Sequence, residues 1–176
     1  MSSFNEKVCH DLHQYLLAMG ETDERMPDAP DIEDMWEQTA QAYLPDGIRE
    51  FSGYPVVSLG WMMYIGMAMA KLWDEDWEKH SQLDNIYLHL RNQRGYDCMD
   101  EYIREEVLGL SGDDYTNTEK LVAECASRTN SQLSHAGLEP GTKEAFRAYV
   151  EALHNLYTMG AAVQLHRMGY HMTKMG

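Results

Sequence analysis

The sequence predicts an all-α protein, a single-domain bundle of six or seven helices around a buried central helix. Residues 55–70 read PVVSLGWMMYIGMAMA and have no polar face, so a helix there must be surrounded by other helices or by lipid. The flanking segments place apolar residues at helical spacing, and no segment shows the sustained alternation of a half-buried strand. A chain of 176 residues fits one domain, covering 1–176, with a core that needs no disulfide or metal.

Local signals define the first helices. Ser3 and Glu6 form a capping-box pattern that begins a helix ending near Gly20. Asp31 is expected to cap a second amphipathic helix, which the turn residues Pro45-Asp46-Gly47 end. Pro55 then suits the first turn of the central helix, which we expect to continue to about His80.

The second half of the chain shows four further helical patterns. Ser81 with Asp84 predicts the cap of a helix that Gly95 ends. Asp97 is expected to open the next helix, with Met99, Tyr102, Ile103, Val107 and Leu110 facing inward. Another helix is predicted from about Thr118 to His135. The last begins at Thr142, places Phe146, Leu153 and Tyr157 on its core face, and reaches at least Met168.

Two long apolar helices carry similar small-residue patches, YIGMA around Gly66 and TMGAA around Gly160. Glycine inside a helix costs about 1 kcal/mol relative to alanine, so each glycine needs a compensating role. We expect close helix–helix approach at both, and these two helices are candidates for contacting each other. An internal duplication is the alternative.

Composition narrows the classes of partner. The chain has 29 acidic and 14 basic residues and a formal net charge of −15. Such a surface repels phosphate backbones and anionic lipids, so we expect neither a nucleic-acid partner nor a membrane. The apolar stretch before Lys71 is also shorter than the ~20 residues that a spanning helix needs.

The cysteine pattern and the motif search both favour a cytoplasmic protein without a cofactor. The 3 cysteines are widely spaced and form no CxxC pair, which indicates free thiols in a reducing compartment. MSSFNEKVCHDLHQ, at the start of the sequence, lacks the basic and apolar regions of a signal peptide. We find no phosphate loop, nucleophile elbow or HExxH motif, so the sequence predicts no cofactor and no metal.

Two groups of polar residues are candidates for a ligand site. Asp76 and His80 are four residues apart and project among Trp73 and Trp77. Such a pair could serve as a general base or ligate a metal, but it could equally be a buried hydrogen-bonded pair, which we favour. Glu106 falls within an apolar stripe and needs a partner there. Gln164, Arg167 and His171 on the last helix are the candidates, and we expect a Glu106–Arg167 ion pair.

Three segments of the chain resemble a family of all-helical proteins of Bacteroidetes bacteria whose function is unknown. They are FSGYPVVSLGWMMYIGMAMAKLWDEDWE, RGYDCMDEYIREEVLGL and EPGTKEAFRAYVEALHNLYTMGAAVQLHRMGYHM. The resemblance covers most of the chain from about residue 50 onward. It implies a bacterial cytoplasmic protein and brings with it no activity and no site.

Two functions are compatible with these observations. The first is a non-catalytic interaction module that binds another protein or itself, as a homodimer for example. The alternative is a helical-bundle ligand-binding protein or enzyme, with or without a metal, whose pocket is formed by Asp76, His80 and Glu106. That alternative requires the three side chains to converge.

Overall fold

The computed structural model describes residues 3–170, and within that range the chain is all-α. It contains eight α-helices and one π-helical turn: α1 Ser3–Ala18, α2 Pro30–Asp34, α3 Trp36–Gly53, α4 Pro55–His80, α5 Ile86–Arg94, α6 Met99–Tyr102, the π-helical turn Ile103–Val107, α7 Gly112–Ser134 and α8 Lys143–Arg167. The all-α bundle is confirmed.

Helix α4 is the centre of the bundle, as predicted. From Ser58 to Ala70 every residue except Trp61 is buried, and the helix packs against α3, α7 and α8. By length and composition α4 could cross a membrane, but 72% of its most apolar window is buried inside the protein. Its missing polar face is therefore explained by neighbouring helices on all sides.

The two small-residue patches meet each other where α4 crosses α8. A Cβ atom on Gly66 would lie 2.1 Å from the carbonyl oxygen of Tyr157, and one on Gly160 would lie 2.2 Å from the carbonyl oxygen of Met63. Each glycine thus faces the main chain of the other helix, and the contact is reciprocal. The expectation of close helix–helix approach is confirmed.

The prediction that Pro45-Asp46-Gly47 ends the second helix is wrong. The helix is interrupted instead at Met35, between α2 and α3. Helix α3 then continues through the exposed Pro45 to Gly53. A proline inside a helix loses one backbone hydrogen bond. The two residues that follow offset this loss. Asp46 and Gly47 are buried, and the carbonyl oxygen of Gly47 accepts a hydrogen bond from Ser58 Oγ at 2.8 Å.

Two predicted helix stops and the predicted start at Thr142 are where expected, whereas Asp31 lies inside α2, which begins at Pro30, and two other starts also differ. Gly95 ends α5 with φ of 87°, Gly137 follows α7 with φ of 70°, and the Thr142 side chain accepts a hydrogen bond from the backbone of Ala145. However, Asn85 caps α5 in place of Ser81. Helix α7 begins six residues before Thr118, with Ser111 preceding its first residue.

The π-helical turn changes which residues face inward. Leu108 N donates to the carbonyl oxygen of Ile103 at 2.8 Å, five residues back. A π-helical turn contains one more residue than the α-helical period assumes, so the positions after Tyr102 rotate away from their expected face. As a result Glu106 is exposed, so its predicted place within the apolar stripe is wrong, and Arg104 is buried instead.

Candidate functional site

The structure does not pair Asp76 with His80. The backbone at Asp76 is extended, with φ of −166°, and this interrupts the last turns of α4. The exposed Asp76 carboxylate accepts a hydrogen bond from Lys79 N, whereas His80 Nε2 lies 3.8 Å from Glu75 Oε2. The prediction assumed regular helical spacing across residues 76–80, and the interruption removes it.

Glu106 and Arg167 also have other partners than the one predicted. Glu106 is exposed, and Arg94 Nη2 lies 3.4 Å from its Oε1. Arg167 forms a two-pronged ion pair with Glu21, at 2.8 and 3.0 Å. Both predicted pairs are therefore wrong. Asp76, His80 and Glu106 share no cavity among those found in the described residues.

The remaining predicted residues divide between surface and interior. Trp73 is partly buried and its Nε1 donates to Asp31 Oδ2 at 3.1 Å, while Trp77 packs against the core. Gln164 and Arg167 lie together on a polar cavity at the end of α8. His171 lies outside the described residues. Within residues 3–170 no group of three or more His, Cys, Asp or Glu side chains could hold a metal ion.

Sequence reasoning missed two buried polar clusters. In the first, the Asp46 carboxylate pairs with Arg91 Nε at 2.7 Å and Arg49 Nη2 at 3.0 Å, and it accepts a hydrogen bond from Tyr87. Burial and that carboxylate together raise the pKa of Tyr87. The position of Asp46 within a proline–glycine turn hid it, because such turns normally lie on the surface.

The second cluster surrounds Arg104, which is 2% exposed. Its guanidinium lies over the rings of Tyr64 and Tyr115, at 5.1 and 4.5 Å from their centroids, and pairs with Asp100 at 3.0 Å. Arg104 Nη1 also donates to Tyr64 Oη at 2.5 Å. Both clusters join helices that are distant in sequence, and neither Asp46 nor Arg104 lines any of the five main cavities of residues 3–170.

A groove lined mainly by apolar side chains, the apolar groove, opens where α3 ends and α8 begins. Its volume is about 560 Å³, and its lining residues are Ile48, Phe51, Ser52, Pro140, Gly141, Thr142, Ala145, Phe146 and Tyr149. An adjoining hollow of about 490 Å³ shares Phe51 and Tyr149 and extends it toward Leu133 and Leu138.

Two aromatic residues define the shape of the apolar groove. Tyr149 is buried in its floor, where its hydroxyl lies 2.5 Å from Ser58 Oγ and its ring lies 4.8 Å from that of Phe51. Burial raises the pKa of Tyr149 to about 12. Phe146 is 49% exposed and borders both the groove and a second depression, so it forms a ridge between them. The prediction that Phe146 faces the core is wrong.

The polar cavity lies at the opposite end of α8 and has a volume of about 370 Å³. It is lined by Glu21, Leu110, Asp114, Asn117, Gln164 and Arg167. The Arg167 guanidinium is fixed on a second side by Thr118, whose Oγ1 accepts a hydrogen bond from Nη1 at 2.7 Å. The loop after α1, the start of α7 and the end of α8 thus form one polar site.

Neither site is assigned by comparison with known proteins, since no family model, curated protein or solved structure matches the chain. The surfaces of the chain itself are therefore the basis for a functional proposal.

Proposed function

We propose that this chain is a non-catalytic self-associating module, and that the apolar groove with its Phe146 ridge forms the contact between two copies. The half-exposed Phe146 beside an apolar groove is the observation that carries the proposal.

Exposed apolar side chains concentrate at this end of the molecule. In the described residues, eight large hydrophobic side chains are exposed. Three of them line the groove or its adjoining hollow, namely Ile48, Leu138 and Phe146, and two more, Tyr54 and Val56, are the sequence neighbours of Pro55 in the hollow. Contiguous apolar surface of this kind is typical of protein–protein contacts, since leaving it in water is unfavourable.

The groove and its ridge favour a second copy over an unrelated partner. In a two-fold symmetric dimer the same patch meets itself, so it must contain both a protruding group and a recess that receives it. Phe146 provides the first and the apolar groove provides the second, side by side on one surface. Two copies related by a two-fold axis can each insert Phe146 into the groove of the other.

The distribution of charged residues also favours the apolar groove as the contact between two copies. Six charged residues are adjacent in sequence to the groove-lining residues, with equal numbers of each sign: Arg49, Lys143, Arg147, Glu50, Glu139 and Glu144. The chain as a whole has 29 acidic and 14 basic residues. Two acidic copies repel each other on average, whereas chain segments with equal numbers of both signs add no net repulsion where they meet.

The test is the molar mass in solution, measured by light scattering over a range of protein concentrations. We expect a dimer for the parent chain and a monomer for Phe146→Ser, with equal melting temperatures only at low protein concentration, where the parent also dissociates. Leu88→Ser is the matched control, since Leu88 is 41% exposed on α5, away from the groove, and this variant should remain dimeric. Added salt should strengthen the dimer by screening the repulsion between two acidic copies.

A monomer at every concentration would overturn the proposal. A dimer that survives Phe146→Ser, or one that Leu88→Ser disrupts equally, would exclude the apolar groove as its interface.

A further inference from the structure

The second depression, on the far side of Phe146 from the apolar groove, has a volume of about 550 Å³. The end of α3 lines the apolar groove but does not line this depression. Four features therefore follow one another across this face of the molecule: the end of α3, the apolar groove, the Phe146 ridge and the second depression. The residues that line the second depression and not the groove are Lys143, Arg147, Val150 and Glu151.

This order determines what else meets when each Phe146 enters the groove of the other copy, which is the contact proposed above and the one on which this inference rests. A two-fold axis beside the Phe146 ridge reverses the order of the four features in one copy relative to the other. The end of α3 in one copy then lies over the second depression of the other. Ile48, which is 48% exposed, faces the partly buried Val150 of the second copy.

The charges of the second depression match the end of α3. Neither Lys143 nor Arg147 forms an ion pair within residues 3–170. The last turn of α3 contains no basic residue, so the negative end of its helix dipole is not compensated there. The carbonyl oxygen of Phe51 also lacks the usual donor four residues on, because Pro55 has no N–H.

We propose that the second depression is the other half of the self-association contact, and that it receives the last turn of α3 from the second copy. Lys143 and Arg147 of one copy lie beside the final carbonyl groups of α3 in the other, where cations are stabilising. Two-fold symmetry forms this contact twice in each dimer, so both apolar grooves and both second depressions are filled.

Cysteine cross-linking between two singly substituted chains tests this arrangement. Both chains carry Cys9→Ser and Cys98→Ser, which leaves only the buried Cys125 as a native thiol. One chain then carries Ile48→Cys and the other Val150→Cys. With bismaleimidoethane, a short thiol cross-linker, we expect a covalent dimer on a denaturing gel from the mixture and none from either chain alone. Phe146→Ser in both chains should abolish the cross-link.

Charge reversal tests the electrostatic part of the contact. Arg147→Glu should raise the dimer dissociation constant about tenfold, since it places a carboxylate beside the carbonyl end of α3 in both halves of the interface. Lys120→Glu is the matched control, because it changes the net charge equally at an exposed position of α7 that lines neither depression. It should leave the dissociation constant within about twofold of the parent. Light scattering over a range of concentrations measures both.

The outcomes separate this inference from self-association itself. A parent dimer in which the mixture gives no cross-link, or in which Val150→Cys cross-links to its own copy, would overturn the inference and leave self-association standing. Equal effects of Arg147→Glu and Lys120→Glu would overturn the role given to Lys143 and Arg147. A chain that is monomeric at every concentration would overturn both proposals.

Discussion

The two ends of α8 differ in the kind of surface that they contribute to. At its first turns the helix contributes Phe146 to an open apolar groove, where hydrophobic surface remains in contact with water. At its last turns it contributes Gln164 and Arg167 to a polar cavity, where Arg167 forms an ion pair with Glu21. Between them, from Leu156 to Leu165, only Thr158 is not fully buried.

This difference shows how one helix can serve two kinds of contact. Uncovered apolar surface is stabilised by a large partner that removes it from water. Polar groups that line a small cavity are already stabilised by ion pairs within the protein, as Arg167 is by Glu21, and by water. The buried middle of α8 holds both ends in place without taking part in either contact.

The largest effect on stability is expected at the buried middle of α8, where it crosses α4. Gly66→Ala places a Cβ atom 2.1 Å from the Tyr157 carbonyl oxygen, so α4 and α8 must separate. We expect a loss of about 3 kcal/mol or more in the free energy of unfolding, measured by urea denaturation. Gly53→Ala is the control, since a Cβ there meets nothing within 4 Å. Equal stability of the two variants would contradict the close-approach argument.

The apolar groove end has a polar anchor that responds to pH. Burial raises the pKa of Tyr149 to about 12, whereas a tyrosine in the unfolded chain titrates near 10. The folded chain therefore holds this proton after the unfolded chain has released it, and stability falls as the pH rises from about 10 to about 12. Tyr149→Phe should cost about 1 kcal/mol at neutral pH through loss of the Ser58 hydrogen bond.

Because phenylalanine does not titrate, the Tyr149→Phe variant should also lose less stability than the parent over that alkaline range. Thermal melts at several pH values measure both effects. A parallel decline of variant and parent would show that Tyr149 does not retain its proton.

The smallest effects on stability are expected from substitutions at the two ends of α8. Gln164→Met should change the free energy of unfolding by no more than about 1 kcal/mol, since methionine keeps the side-chain volume at the polar cavity. Phe146→Ala should change the stability of the monomer by no more than about 0.5 kcal/mol, because the ring is half exposed. Urea denaturation at low protein concentration measures both. A destabilised Gln164→Met variant would indicate that the amide has a structural role.

Apart from the close approach of α4 and α8 at Gly66 and Gly160, the features that the sequence predicted correctly have local causes. The all-apolar run of α4, the Thr142 cap and the Gly95 stop all depend on residues within a few positions of one another. The passage of α3 through Pro45 and the π-helical turn depend instead on distant contacts, of Gly47 with Ser58 and of Arg104 with Tyr64. Helical periodicity contains no information about such contacts.

The candidate sites also combine residues that periodicity predicts with distant neighbours that it does not. Periodicity placed Gln164 and Arg167 on the inner face of α8, and both line the polar cavity. Their neighbours could not be predicted, because Glu21 comes from an acidic loop with no local signal for burial. Phe146 shares the helical face of Leu153, but α8 begins beyond the elements that would cover it. A periodic pattern indicates which way a side chain points, and only the packed structure shows what it meets.

The reciprocal glycine contact also predicts how this sequence can change during evolution. At each glycine the obstacle is the main chain of the other helix, so no second substitution nearby can make room for a larger residue. Residues of the apolar groove and the polar cavity can drift as partners change, but a descendant that keeps this crossing must keep Gly66 and Gly160 together. When divergent sequences are compared, that pair should mark membership of this fold after every other recognisable feature has been replaced.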